Sequence, residues 1–229
     1  MFVNLSNEIT MKKILTLIIV LISINGLNAQ QMPFFSQYMH NPCSINPDAT
    51  GINDEIPLAV SFRKQWVSIP GSPSTQYLSA HMKLAQNMGA GLKILNYKAD
   101  RLGKTGGEIT YSYHFKLNES TRLSLGLSGL VYQFHLDKSG MSVENEDDMV
   151  FADGSDKMFV IDATFGTYLY GERYFVGLAV PQLVNRNVDL KTDGIIQEKQ
   201  VRHYYLHGGY KFDLNPDFTL EPSLLVKFM

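Results

Sequence analysis

Between Gly107 and Leu117 the chain alternates without a break. Ile109, Tyr111, Tyr113, Phe115 and Leu117 fall on odd positions, and Glu108, Thr110, Ser112, His114 and Lys116 on even ones. Successive side chains of a strand point to opposite faces, so this segment has one aromatic, apolar face and one polar face. The pattern recurs from Gln76 to Leu84, where Leu78, Ala80, Met82 and Leu84 oppose Tyr77, Ser79, His81 and Lys83. It recurs again from Met88 to Ile94 and from Phe218 to Phe228. Leu58 to Trp66, Phe159 to Tyr170, Tyr174 to Val180 and Val201 to Phe212 read as further strands. Strong helical periods are absent, and the alternation gives about nine strands. One long strand changes phase: Leu123, Leu125 and Leu127 give way to Leu130, Tyr132, Phe134 and Leu136. Gly129 stands at the switch and predicts a β-bulge there.

Alternation of this kind suits a soluble β-sandwich or a transmembrane barrel, which turn their polar faces to water and to the lumen respectively. Three features favour the barrel. Lys12-Lys13, the apolar run Ile14 to Ile24 and Leu27-Asn28-Ala29 before Gln30 read as a signal peptide, with Met11 as the start. The connections alternate between short (Gln86-Asn87, Gly171-Glu172) and long (Asp137 to Asp156), as barrels arrange their turns and loops. Tyr168, Tyr170, Tyr174 and Phe175 cluster at strand ends, as in an interfacial aromatic girdle. Apart from the signal peptide no apolar run reaches the roughly 20 residues a spanning helix needs. The expected class is therefore all-β, an antiparallel transmembrane β-barrel. Residues 1–29 form an N-terminal extension and signal peptide, 30–57 a plug or docking segment, and 58–229 the barrel domain.

The net charge is −2 with mixed signs, so nucleic acid is not an expected partner. The single cysteine, Cys43, forms no internal disulfide and reads as a neutral residue. It lies too far past Gln30 to carry a lipid anchor. No catalytic constellation, cofactor motif or metal site is legible. His203 and His207 share a strand face but lie ~13 Å apart, too far to bind one ion, and read as lumen-facing. Glu144 to Asp148, with Asp153, Gly154 and Asp156, lack EF-hand spacing and read as a solvated loop. Gly89-Ala90-Gly91 lies inside a strand with no helix following, so it is not a phosphate loop.

One stretch follows no fold-forming period. Phe35-Ser36-Gln37-Tyr38-Met39 leads to Asn41-Pro42 and then to Asn46-Pro47 and Gly51; Arg63, Gln65 and Trp66 follow, then Pro70-Gly71-Ser72-Pro73 and Thr75-Gln76. The order of these blocks resembles the start of mature PorP/SprF proteins, outer-membrane components of the Bacteroidota type IX secretion system. Asp48 and Thr50 stand where that family commonly has Ala. The resemblance implies an outer-membrane barrel of FadL-like build with fourteen strands. Partners would be outer-membrane lipid, the PorK/PorN-type periplasmic ring, and secreted cargo or gliding adhesins. On that count the chain, ending after a strand, is expected to be an incomplete barrel with two open edges. Phe35, Ser36, Gln37, Tyr38, Asn46, Pro47, Gly51, Arg63, Gln65 and Trp66 are the motif residues of a plug or docking surface. Arg63 and Gln65 would hydrogen-bond the N-terminal segment from inside, and Trp66 would anchor or pack on its strand. The alternative from the same barrel class is a channel for a small hydrophobic solute, against which the polar face of Glu108 to Lys116 argues. A soluble periplasmic binding domain is the third reading.

Overall fold

The computed structural model describes residues 38–138, 155–184, 188–189, 197–198 and 202–229. Three single-turn 3-10 helices come first: Tyr38–His40, Pro42–Ser44 and Pro47–Ala49. The strands are β1 (Leu58–Lys64), β2 (Ser74–Ala85), β3 (Met88–Ala99), β4 (Leu102–Lys116), β5 (Thr121–Asp137), β6 (Ser155–Gly171) and β7 (Tyr174–Val180). Then come the two-residue β8 (Val188–Asp189) and β9 (Gln197–Glu198), followed by β10 (Tyr204–Tyr210), β11 (Phe212–Asn215), β12 (Phe218–Leu220) and β13 (Ser223–Phe228). A nine-stranded antiparallel sheet runs β1-β2-β3-β4-β5-β6-β7-β10-β13, while β8 with β9 and β11 with β12 form separate pairs. β1 and β13 are the edges, so the sheet is open among the described residues. The all-β, barrel-like class and the strand count agree with the alternation.

The sheet is inverted relative to a soluble protein. At mid-height its inner face carries Glu108, Thr110, Ser112 and His114 of β4, and Ser124 and Ser128 of β5, all buried. Its outer face carries Leu92, Ile94, Ile109, Leu125, Leu127, Ile161 and Val176, all exposed. Apolar residues outside and polar ones inside are the arrangement of a sheet in lipid. Among the described residues no helix is long and apolar enough to cross a membrane, which leaves crossing by strands open.

The bulge expected at Gly129 does not form. β5 pairs with β4 and with β6 in unbroken register along its length. What changes at this height is the environment. Below it, Leu123, Leu125, Leu127 and Val131 face outward over Ser124, Gly126 and Ser128; above it, Gln133, His135 and Asp137 face outward over Leu130, Tyr132, Phe134 and Leu136. Leu130, Tyr132, Phe134, Tyr77, Leu95 and Val160 form a buried inner cluster at that end. The sheet thus passes from inside-out to ordinary soluble patterning along one strand. Leu123 to Val131 spans about 27 Å of strand, or about 21 Å at a ~40° tilt, of the order of the ~25 Å apolar band of such proteins.

Three strands also differ in extent from the sequence expectation; the one expected over Val201 to Phe212 pairs as β10, Tyr204–Tyr210, while Phe212 begins β11. β1 stops at Lys64, and Trp66 lies in the following turn with a left-handed φ of 48°. The strand expected over Phe218 to Phe228 is split at Glu221-Pro222, where proline has no N–H to give the ladder. The connections 86–87, 117–120, 172–173 and 211–222, the last carrying β11 and β12, leave one end of the sheet. Connections 65–73, 138–154 and 181–203, with the tight turn 100–101, leave the other, where the inner apolar cluster lies.

Candidate functional site

The concave face holds the N-terminal segment. Two Asn-Pro steps shape it, because each proline fixes φ for a first helical position while needing no N–H partner. Pro42 opens the turn Pro42–Ser44 and Pro47 the turn Pro47–Ala49. Asn46 caps the latter, its side-chain oxygen accepting from the Asp48 N–H at 3.2 Å. Gly51 turns the chain out again at φ 75°, with the Gly89 Cα where a Cβ would stand. Cys43, Ile45, Asn46, Asp48, Ala49 and Thr50 are all buried.

Polar groups from β2, β4 and β10 hold this segment in place. The Asn41 amide donates to Ser79 Oγ of β2 at 2.7 Å. The Gly51 N–H donates to Nδ1 of His81 at 3.3 Å. The Thr50 carbonyl accepts from Ser112 Oγ at 2.7 Å and from His114 Nε2 at 2.9 Å. Because that nitrogen carries the proton, His114 Nδ1 accepts from the Tyr170 hydroxyl at 3.0 Å. The Asn46 amide donates to His207 Nε2 at 3.0 Å. His81, His114 and His207 come from β2, β4 and β10, so the segment ties together distant parts of the sheet.

The floor beneath it is made of the smallest residues. Gly89, Ser112, Gly126, Gly166 and Ala179 are direct register partners across β3 to β7. A Cβ on Gly89 would collide with the Thr50 carbonyl, and one on Gly126 with the Asp48 carboxylate. One on Gly166 would strike both that carboxylate and the Asn46 amide oxygen. The absent side chains make the groove in which the turn lies. Burial dominates the Asp48 carboxyl, outweighing the nearby Gly126 N–H and Asn46 amide, and pushes its pKa up to about 8. Burial likewise pushes the Cys43 thiol up to about 12, its sulfur meeting Thr50 Oγ1 at 3.8 Å.

Beyond the plug, towards the long-loop end, the lumen is filled. Lys93 and Glu108 form a buried ion pair at 2.5 Å, and Lys104 lies 4.2 Å from the Tyr132 ring centre. The cavity left there measures about 50 Å³. At the short-turn end a vestibule of about 430 Å³ opens below the plug, lined in part by Asn41, Pro42, Tyr168, Tyr170, Arg173 and His207.

Of the motif residues, Asn46, Pro47 and Gly51 are at the heart of this contact, and Tyr38 begins the first 3-10 turn. Phe35, Ser36 and Gln37 lie outside the described residues, as do the signal peptide and residues 144–154 of the acidic loop; Asp156 pairs with Lys138 at 2.7 Å. Arg63 and Gln65 bond each other: with its oxygen turned to the guanidinium, the Gln65 amide accepts at 2.8 and 3.2 Å. Trp66 is two-thirds exposed. His203 and His207 both face inward as expected; His203 meets Gln182 at 3.0 Å. Gly89 and Gly91 lie within β3, as the strand reading requires.

A sheet that is apolar outside, polar within and stoppered by its own N-terminal segment defines a β-structured membrane protein. The chain belongs to the type IX secretion system membrane protein family PorP/SprF, whose model matches residues 27–229. No curated protein and no solved structure matches it.

Proposed function

We propose that this protein is an outer-membrane component of the type IX secretion apparatus that serves as a plugged scaffold and does not conduct through its lumen. The observation that carries this is the N-terminal segment seated on the glycine floor and bonded to β2, β4 and β10. Residues 1–29 would be removed near Ala29 on export, leaving 30–57 as the plug and 58–229 as the sheet. Short turns lie on the periplasmic side of such proteins and long loops outside. By that rule the vestibule below the plug faces the periplasm, where PorK/PorN-type ring components would dock. The long-loop end would face the cell exterior, where cargo proteins or gliding adhesins are secreted or attached. A solute channel fits less well: the inner cavity of about 50 Å³ is far below the roughly 300–1,000 Å³ of small-molecule pockets.

Cell fractionation tests this reading. The mature protein is expected in the outer membrane, resistant to carbonate extraction, and to bring periplasmic ring components with it on mild detergent extraction. Recovery in the soluble periplasm overturns it.

A further inference from the structure

The outer face of the sheet carries an ordered transition at the long-loop end. Three register lines cross β2 to β6 in sequence. The lowest is apolar: Leu78, Ile94, Gly107, Val131 and Ile161. The next is Gln76, Asn96, Thr105, Gln133 and Phe159. Its polar members are bonded side to side, Thr105 Oγ1 donating to Asn96 Oδ1 at 2.8 Å and the Asn96 amide to Gln76 at 3.3 Å. The third is Ser74, Lys98, Gly103, His135 and Lys157, with two exposed lysines and no acid. Gly103 leaves a notch of about 320 Å³ in the middle of that line, with Lys98, His135 and Lys157 around it. Asp100, Arg101 and Asp137 also line the notch, farther from the apolar line.

We infer that this notch is a binding site for the anionic headgroup of a membrane lipid in the leaflet at the long-loop end. The inference rests on the membrane reading proposed above. A lipid whose chains lie along Ile94, Val131 and Ile161 places its headgroup at the Asn96–Thr105–Gln133 line and its phosphate between Lys98 and Lys157. The neutral donors meet the headgroup's esters and hydroxyls, and the lysines meet the charge. Continuity with the apolar band selects a lipid over a soluble anion, which would gain nothing from the two lower lines. Each lysine near an anionic headgroup is worth about a five-fold change in binding.

The test uses the full-length protein in detergent and native mass spectrometry, with phosphatidylglycerol, phosphatidylcholine and soluble glycerol phosphate as probes. Retention of phosphatidylglycerol over phosphatidylcholine is expected, falling about five-fold per site in Lys98→Gln and Lys157→Gln. Glycerol phosphate is expected not to compete. Equal retention of the two lipids, or an unchanged preference in the double variant, overturns the inference, and so does competition by glycerol phosphate, which would mean a free-anion site. Both substitutions are on exposed side chains, and a wild-type rate of protease cutting shows that the variants fold. A wild-type protein that never enters bilayers overturns the membrane reading and this inference together; one that enters them but shows no preference overturns this inference alone.

Discussion

Asp48 is the residue on which the seating of the plug turns. Its carboxyl lies over the paired glycines Gly126 and Gly166, and burial raises its pKa to about 8. A raised folded-state value means that the seated plug holds a proton the released segment loses. Its contribution is fully present below about pH 4 and is lost as the pH rises through about 8. Hydrogen exchange across residues 41–51 is therefore expected to quicken between about pH 4 and 8 and to level off above that, beyond the intrinsic dependence of exchange. Asp48→Asn removes the charge and is expected to flatten that excess, tightening the plug by more than about 1 kcal/mol at pH 8. An unchanged pH profile in the variant would show that the carboxyl is not what titrates. The floor makes the complementary prediction. Gly126→Ala pushes a methyl group against the Asp48 backbone, within 2.9 Å of its nitrogen. Such overpacking costs about 1–3 kcal/mol, and protease cutting within the segment reads it. Cutting at the wild-type rate would mean that the floor does not bear on the plug.

At the scale of elements, β5 explains what the sequence could and could not convey. Its alternation was legible, and so was the change of phase. A bulge was the local explanation, because a bulge shifts side chains from one face to the other. The chain makes the same pattern by keeping its register and crossing from one solvent to another, which no local rule distinguishes. The plug groove left a fainter trace. Ser124, Gly126 and Ser128 give β5 an inner face with almost no side chain, which is the mark of something packed against it. The partner could not be read, since it lies some 80 residues earlier in a segment without a period. Ser112 was rightly given to the lumen, but that lumen is full: its hydroxyl is spent on Thr50. The clean test of facing therefore stays on the outer side of β4. Ile109→Arg puts a charge in the apolar band and is expected to cost about 2–4 kcal/mol of folded protein. Thr105→Arg, four residues along the same face and level with Asn96 and Gln133, is expected to be tolerated. Refolding yield into lipid vesicles compares the two, and equal losses would contradict the boundary drawn between them.

For the whole molecule, the N-terminal segment acts as a tie across the sheet. Its bonds to β2, β4 and β10 join strands far apart in the sheet order, and its buried turn fills space that the glycines leave empty. The open sheet thereby acquires a centre. The sheet was legible in outline, as alternation, and the Asn-Pro steps marked the segment as one without a strand period. The histidine contacts were not, because hydrogen bonds between segments 30 to 161 residues apart leave no spacing to read. The most direct test of a seated plug uses the chain's own single cysteine. Cys43 is 3% exposed, with its thiol pushed up to about 12 by burial, so it is both hidden and protonated at neutral pH. In native membranes at pH 7 it is expected to resist a maleimide reagent and to react fully once the protein is denatured. Rapid, complete labelling of the native protein would mean that the segment does not occupy the lumen.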